Sequence, residues 1–264
     1  MKEIQIRALY GSLYAGVIVG AIFLSPLAIT LVILVFSSLA LWEFQRLVQF
    51  KSIIPICILF LLTIYGFLGF TTRFSDGIID LIAITINLFL IAFLFIPKKI
   101  KYNYPIKLIL SVGYLVFSSY FISRSAFEET EYNAWILALL YFSIWINNTF
   151  AYLFGTILGK HKLLPSISPK KSWEGFFGGI LATLLLNFFI RDYVLFFNNL
   201  NYWLIFAIII PILATLGDFV QSYFKRIARV KDSGSLIPGH GGFYDRMDSV
   251  IFVAPFYYLL LKFV

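Results

Sequence analysis

Long uninterrupted runs of apolar residues, separated by short polar segments, dominate the chain. A bilayer core about 30 Å thick needs about 20 mostly apolar residues per helical span. The runs are continuously apolar rather than alternating, which favours helices, since only helices and closed barrels satisfy every backbone group in lipid. The pattern predicts an all-α, polytopic membrane protein with about nine spans, near residues 7–24, 26–46, 53–71, 78–96, 106–124, 133–156, 173–190, 202–224 and 249–263.

Composition agrees with this prediction and excludes several other classes. Of the 264 residues, 61% are hydrophobic and 13% are charged, whereas ordinary soluble domains are about 25% charged. The single cysteine, Cys57, excludes an intrachain disulfide, and two histidines are too few for a histidine-rich zinc site. The net charge of +8 suggests nucleic acid at first sight, but its distribution indicates membrane topology and no nucleic-acid partner.

Lysine and arginine are distributed unevenly between the predicted loops. With the N-terminus in the cytoplasm, 17 of the 21 cations fall on the inner side. The outer side holds only Arg73, Arg124, Arg191 and Lys262. Positive residues orient membrane proteins with the richer side inward. The sequence therefore predicts a cytoplasmic N-terminus.

The most charged segment of the chain lies between the eighth and ninth predicted spans. Residues 217–248 hold nine charged side chains in 32 positions, together with closely spaced glycines. Carboxylates, cations and glycines in one segment suit a magnesium–phosphate site better than a plain loop. The predicted topology places this segment on the cytoplasmic side.

The end of the eighth span is polar on one helical face. Helical spacing places Gln221, Ser222, Lys225 and Arg229 on the same face as Asp218. Asp218 lies seven residues deeper than Lys225, roughly 10 Å at helical rise. A carboxylate at that depth usually faces a cavity or a partner. A structural ion pair with a neighbouring helix is the alternative.

A glycine cluster stands where the ninth helix should begin. Gly239, Gly241 and Gly242 permit positive φ and let backbone N–H groups approach a ligand closely, and helix N-termini favour phosphate. His240 within this cluster is either a simple loop residue or a catalytic one.

Two carboxylates follow the glycine cluster, three residues apart. One helical turn directs Asp245 and Asp248 to the same side. Such hard oxygen ligands suit Mg²⁺, which is usually shared between one or two carboxylates and substrate phosphates. Arg246 and Lys225 are placed to balance phosphate charge.

A second polar segment precedes the seventh span. Ser168 followed by Pro169 is typical of a helix N-cap and first position. Lys170 and Lys171 then occupy the first turn, where cations oppose the helix dipole by about 0.3–1 kcal/mol each. Positive-inside bias explains part of this, and an anion bound at the helix start explains more.

These two segments resemble a known family, the integral-membrane phosphatidate cytidylyltransferases, also called CDP-diacylglycerol synthases. The family's C-terminal pattern is present without a gap as SYFKRIARVKDSGSLIPGHGGFYDRMD (222–248), and its upstream partner as AYLFGTILGKHKLLPSISPKKSWEGFFGG (151–179). Together they cover about the C-terminal half. We divide the chain into N-terminal helices (1–130) and a C-terminal catalytic region (131–264).

The resemblance has two departures. Asn148, in the sixth span next to Asn147, stands where the family commonly has Asp, and Gln221 stands where it commonly has Glu. Neither is therefore counted as a metal ligand. The two asparagines serve either interhelical hydrogen bonding or a cavity.

The resemblance implies transfer of a cytidylyl group from CTP to phosphatidate, giving CDP-diacylglycerol and pyrophosphate. It also implies Mg²⁺ at Asp218, Asp245 and Asp248, with room for a second, monovalent cation. The residues assigned to catalysis are Asp218, Lys225, Arg226, Lys231, Asp232, Asp245, Arg246 and Asp248. Those assigned to substrate binding are Ser168, Lys170, Lys171, Ser222, His240, Gly241 and Gly242. The expected setting is the bacterial cytoplasmic (inner) membrane, with a homodimer as the expected assembly.

Two other functions compete with this interpretation. A CTP-dependent lipid or polyprenol kinase would transfer a terminal phosphoryl group and release CDP. A transporter would place ionisable residues near the membrane midplane, but here nearly all charges lie at helix ends or in inner loops, with Asp218 and Glu43 the deepest.

Overall fold

The protein is a bundle of helices with two small β-hairpins. The computed structural model describes residues 3–70, 72–96, 103–128, 131–193, 200–239 and 241–263. The helices are α1 (Glu3–Leu24), α2 (Pro26–Leu47), α3 (Ile54–Phe67), α4 (Arg73–Leu94), α5 (Tyr104–Ile109), α6 (Phe117–Arg124), α7 (Ala134–Ile157), α8 (Trp173–Ile190), α9 (Leu200–Ile227) and α10 (Tyr244–Leu261). The strands are β1 (Phe127–Glu128), β2 (Glu131–Tyr132), β3 (Lys162–Leu164) and β4 (Ser168–Ser172). A π-helical stretch, Leu110–Val116, joins α5 to α6, and a 3₁₀ turn, Arg191–Tyr193, follows α8.

Every predicted span coincides with a helical segment. Within the described residues, six helices are long and apolar enough to cross a membrane: Pro26–Leu47, Phe74–Leu94, Tyr104–Arg124, Ala134–Ile157, Trp173–Ile190 and Tyr202–Ile227. The chain is therefore a polytopic integral membrane protein. The count of about nine spans and the cytoplasmic N-terminus stay predictions, since α3 has only 14 residues and α10 carries three charges near its start.

Several helices begin where the sequence offers a cap. Ser25 accepts a hydrogen bond from the Ala28 amide at 3.1 Å, with Pro26 at the first helical position. Thr72 and Ser75 form a reciprocal capping box at the start of α4. These local signals explain why α2 and α4 begin where they do.

The predicted helix start at Ser168 is wrong. Residues 168–172 form β4, which pairs antiparallel with β3 in the register Leu164↔Ser168 and Lys162↔Ser172. The helix begins at Trp173, where the Ser172 hydroxyl accepts a hydrogen bond from the Gly175 amide at 3.2 Å. Lys170 and Lys171 therefore lie on an extended strand and do not oppose a helix dipole.

Glycines allow α8 to pack tightly against α7. A Cβ added at Gly175 would lie 2.5 Å from the carbonyl oxygen of Ala151, and one at Gly178 would lie 2.5 Å from the ring of Phe154. Small residues at helix interfaces permit this close approach in membranes. The packing holds the β3–β4 hairpin beside the end of α7.

Helix α10 runs through the core of the bundle. It packs against α9, α2, α4, α6 and α7, and residues 249–255 are all buried. A Cβ at Gly217 would lie 2.6 Å from Cβ of Phe252, so this glycine sets the close approach of α9. The division into 1–130 and 131–264 stays a prediction, and α10 contacts helices from both parts.

Candidate active site

A cavity of about 730 Å³ lies where α7, α8, β4, α9 and α10 meet. Nine of the residues assigned from the sequence line it: Ser168, Lys170, Lys171, Asp218, Lys225, Asp232, Asp245, Arg246 and Asp248. The structure thus brings together the two polar segments that the sequence singled out. Four lysines line this cavity, since Lys162 joins the three named above. Such a cationic surface suits a polyphosphate.

Asp218 and Lys171 connect the two walls of the cavity. The Lys171 Nζ lies 2.7 Å from Asp218 Oδ2, and the side chain of Asp218 remains 31% exposed. The Ser222 hydroxyl donates to Asp218 Oδ1 at 3.3 Å. Asp218 therefore faces the cavity and forms an ion pair there, but its partner lies on strand β4 and not on a neighbouring helix.

Asp245 is almost fully occupied by donors from the protein. Its Oδ1 accepts hydrogen bonds from Lys225 Nζ at 2.8 Å and Gln221 Nε2 at 2.9 Å. Its Oδ2 accepts the amides of Ser233 at 2.8 Å and Gly242 at 3.0 Å. Burial raises the pKa of Asp245, but the Lys225 ammonium and the two amides lower it below its usual range. Asp245 therefore stays ionised. It holds the loop that contains Gly239, Gly241 and Gly242, called the glycine loop below, against α9.

Glu43 on α2 is a site residue to which the sequence assigned no role. The side chain is 1% exposed. Its Oε1 accepts the Phe243 amide at 3.2 Å, and its Oε2 accepts the Tyr244 amide at 2.9 Å. Phe243 supplies no side-chain cap of its own, so Glu43 caps α10 from another helix. Hydrogen bonds to charged groups contribute about 1.5–3 kcal/mol each.

The glycine loop is shaped around these two carboxylates. Gly239 and Gly241 have φ of 74° and 85°, which confirms the predicted positive φ at both. Gly234 and Gly242 are needed for another reason, because a Cβ at either position would collide with the Glu43 carboxylate. The Gly242 amide donates to Asp245, so this amide does not point at a bound phosphate. His240 lies outside the described residues.

Asp248 faces the same cavity as Asp218. It lies outside the six span-length helices, at the second turn of α10. Burial and the neighbouring Asp218 carboxylate raise the pKa of Asp248 to about 7. A pair of partly buried carboxylates that disfavours a second negative charge is the kind of site that a divalent cation stabilises.

The carboxylates of the large cavity fit a magnesium ion that is shared with substrate phosphates. Within the part of the chain that the structure describes, no group of three or more His, Cys, Asp or Glu side chains is arranged to hold a metal. Asp218 and Asp248 line the cavity and accept fewer protein donors than Asp245, since Asp218 accepts Lys171 and Ser222 and Asp248 accepts the Ser249 amide. Mg²⁺ is usually bound by one or two carboxylates together with substrate phosphates. The residues therefore fit a shared metal–phosphate site rather than a protein cage.

The remaining assigned residues lie at the margin of the site. Arg226 Nε donates to the Ile167 carbonyl at 3.2 Å, which ties α9 to the turn before β4. Lys231 is exposed and is not among the residues that line the large cavity. Asp232 is exposed and lines it.

A second cavity of about 380 Å³ lies between α1, α7 and α10. It shares Asn148, Asp245, Arg246 and Asp248 with the large cavity. The side chain of Asn148 is also hydrogen-bonded, because it accepts from Asn147 Nδ2 at 3.1 Å. Asn148 therefore lines a cavity, as one of the two alternatives predicted, and its hydrogen bond to Asn147 lies within α7 rather than between helices.

Comparison with known proteins agrees with the family resemblance that the sequence motifs show. A family model described as "Cytidylyltransferase family" matches residues 5–264. Proteins named phosphatidate cytidylyltransferase match in Staphylococcus epidermidis (40% identity over 153 residues, 58% of this chain and 57% of the relative) and Staphylococcus haemolyticus (49% over 120 residues, 45% of each). A third, from Staphylococcus aureus, is 40% identical over 155 residues, 58% of this chain and 57% of the relative. The matched region thus spans about half the length of these relatives.

Proposed function

The chain belongs to the cytidylyltransferase family, and from this premise we propose that it transfers a cytidylyl group from CTP to phosphatidate, giving CDP-diacylglycerol and pyrophosphate. The observation that carries the proposal is the large cavity, which four lysines line together with the carboxylates of Asp218 and Asp248. The choice of CTP and phosphatidate as the substrates comes from the relatives named phosphatidate cytidylyltransferase.

The proposed reaction is a single displacement at phosphorus. An oxygen of the lipid phosphate forms a new bond to the α-phosphorus of CTP. The bond from that phosphorus to the oxygen bridging to the β-phosphorus breaks, and pyrophosphate leaves with the electron pair. Such transfers depend on positioning and charge stabilisation more than on a protein nucleophile.

The lysines of the large cavity bind and orient the triphosphate. Lys170 and Lys171 approach from β4, Lys162 from β3, and Lys225 from the end of α9. Because Lys225 also binds Asp245, its position is fixed by the glycine loop. Arg246 lines the cavity from α10 and is placed to stabilise the lipid phosphate.

Asp218 and Asp248 are the proposed magnesium ligands. Bound there, the metal would neutralise charge on the attacking and leaving oxygens. Asp245 belonged to the metal set expected from the sequence. Because its oxygens accept Lys225 and the amides of Ser233 and Gly242, we propose instead that it positions the glycine loop and Lys225.

The proposed setting is the bacterial cytoplasmic membrane, with about nine spans, the N-terminus inside, the site facing the cytoplasm and a homodimer as the assembly. Lys231→Cys in a Cys57→Ser background reports the orientation, because Lys231 is exposed beside the site. A membrane-impermeant maleimide should label it in inside-out vesicles and not in intact spheroplasts. The mass of the protein in detergent, measured by light scattering, tests the dimer.

The decisive experiment is a product assay on purified protein in mixed micelles. With α-³²P-labelled CTP and phosphatidate, the label should enter the lipid, and pyrophosphate should appear in equal amount. Release of CDP with a phosphorylated lipid alcohol would show a kinase instead. Solute flux in proteoliposomes without nucleotide chemistry would show a transporter.

A further inference from the structure

The two cavities meet at the first turns of α10. Four residues, Asn148, Asp245, Arg246 and Asp248, line both of them. The walls beyond this shared boundary differ in chemistry. The large cavity continues among lysines, as described above, whereas the small one continues between α1 and α7.

The small cavity is apolar at one end and charged at the other. Its α1 and α7 walls include Tyr14, Tyr141, Ile144 and Trp145. Among the described residues that line it, Arg246 is the only cation, and it lies at the shared boundary. Asp245 and Asp248 line the same end as Arg246. Aromatic and aliphatic side chains with a few convergent polar groups are typical of ligand sites.

Helix α1 provides the room for such a ligand. Gly11 and Ala15 are four residues apart, so they lie on one helical face, and both line the small cavity. Leu13 and Val17 on the same helix are exposed by 53% and 47%. The Tyr14 hydroxyl donates to the Arg246 carbonyl at 3.2 Å, which joins α1 to the start of α10. One face of α1 thus lines the small cavity while another carries exposed apolar side chains of the kind that suit lipid.

We propose that the small cavity binds the lipid substrate, with its phosphate monoester at Arg246 and its glycerol and first methylene groups over Tyr14, Ile144 and Trp145. This inference rests on the proposed function and adds to it a separate lipid subsite. The volume of about 380 Å³ is near the lower end of ligand pockets, about 300–1,000 Å³. It suits a headgroup and glycerol, with the acyl chains extending into the bilayer.

The arrangement explains how two anionic substrates meet. A phosphate at Arg246 lies at the boundary of the cavity that holds the triphosphate. Asp248 lines both cavities and Asp218 lines the larger, so the proposed metal site lies where the two phosphates converge. The attacking oxygen then comes from the α1 side, and pyrophosphate leaves on the side of the β4 lysines.

Filling the small cavity tests the proposal. Ala15→Phe should raise the KM for phosphatidate at least tenfold while the KM for CTP changes less than twofold. Leu13→Phe is the matched control, because it adds the same ring to an exposed position of the same helix and should leave both constants unchanged. Gly11→Leu serves as a second cavity variant if Ala15→Phe is poorly folded. An unchanged lipid KM, or an equal rise in both constants, would overturn the lipid subsite.

A labelling experiment provides a readout that does not need turnover. In a Cys57→Ser background, Ala15→Cys is treated with a small maleimide in detergent. Dihexanoyl phosphatidate should slow the modification at least fivefold, whereas CTP alone should not. Leu13→Cys should be modified at the same rate with or without the lipid, and Gly11→Cys replaces Ala15→Cys if that variant does not react.

The outcomes separate the two proposals. Equal protection by inorganic phosphate or glycerol 3-phosphate would show a simple anion site and refute binding of the lipid body. An absence of protection in a protein that makes CDP-diacylglycerol would refute the subsite alone. Protection by phosphatidate in a protein that makes no CDP-diacylglycerol would support the subsite and refute the proposed reaction.

Discussion

Glu43 and Ser233 are 190 positions apart in the chain, yet the Ser233 hydroxyl lies 2.8 Å from Glu43 Oε2. The same hydroxyl lies 2.9 Å from Asp245 Oδ2, so one serine links two carboxylates that shape the glycine loop. The motifs that carry the family resemblance lie in the C-terminal half. The loop inside them is nevertheless held by a residue of the second helix.

Replacing Glu43 with glutamine should impair the site through the loop. Glutamine keeps one acceptor oxygen and presents an amide to the N–H groups of Phe243 and Tyr244, so at least one charged hydrogen bond is lost. We expect kcat to fall about tenfold or more, from the roughly 1.5–3 kcal/mol attached to such a bond, and the thermal midpoint to fall as well. Steady-state kinetics and unfolding in detergent measure both.

Ser38→Ala is the control for that variant. Ser38 lies on the same helix and its hydroxyl bonds only locally, to the Leu34 carbonyl at 2.7 Å. Normal turnover and a normal midpoint in Glu43→Gln would refute the positioning role. Recovery of part of the activity in Glu43→Asp, which restores the charge, would support it.

Asparagine variants should distinguish metal binding from loop positioning. Asp248→Asn and Asp218→Asn should each lower kcat about 100-fold or more and weaken the dependence on Mg²⁺, since each removes a proposed ligand. Asp245→Asn should also lower turnover greatly, but with a clear loss of thermal stability, because Lys225 and two loop amides lose an anionic acceptor. All three variants should insert into the membrane normally. Wild-type activity in Asp248→Asn would remove the metal assignment.

The raised pKa of Asp248 predicts a pH dependence of stability. In the folded protein the pKa is raised to about 7, whereas an unfolded aspartate titrates near about 3.9. Between these values the folded state binds more protons at Asp248, so the contribution of this residue to stability is largest at acid pH and is lost as pH rises through 7. In the presence of a chelator, the thermal midpoint should fall from pH 4.5 to 7.5. Asp248→Asn should show a smaller fall, and an identical profile would contradict the assignment.

Lys171 should matter chiefly for nucleotide binding. Its loss removes a cation from the large cavity and the partner of Asp218. Lys171→Ala should raise the KM for CTP about tenfold, with a smaller effect on the KM for phosphatidate. Lys160→Ala is a matched control, since Lys160 is an exposed lysine of the same connection and is not among the residues lining the large cavity. Equal effects of the two variants would indicate general electrostatic attraction rather than a defined contact.

The helices were predictable because their signal is local, and the site was predictable only in part. Apolar runs and caps such as Ser25 depend on neighbouring residues, and all the predicted spans coincide with helical segments. The predicted helix start at Ser168 was wrong. Both Ser168 and Ser172 are typical N-cap residues, and because residues 168–172 pair with β3, the helix begins after Ser172. Pairing between strands is not local, so the cap rule alone favoured the first serine.

The hydrogen-bond partners of Glu43 and Asp245 could not be predicted from the sequence. A lone carboxylate deep in an apolar helix signals an unseen partner, but nothing local identifies amides 200 residues away as that partner. Asp245 has the spacing of a metal ligand relative to Asp248. Its proposed positioning role instead rests on hydrogen bonds from the amides of Ser233 and Gly242, and their direction depends on the conformation of the glycine loop.

The cap that Glu43 provides also has a consequence for biosynthesis. The chain is made from its N-terminus, so α2 is synthesised roughly 200 residues before the amides that it accepts. The two amide hydrogen bonds that Glu43 accepts can therefore form only after the start of α10 has been synthesised. In a nascent chain that ends before Phe243, Glu43 lacks the two amide donors and keeps the Ser233 hydroxyl as a partner.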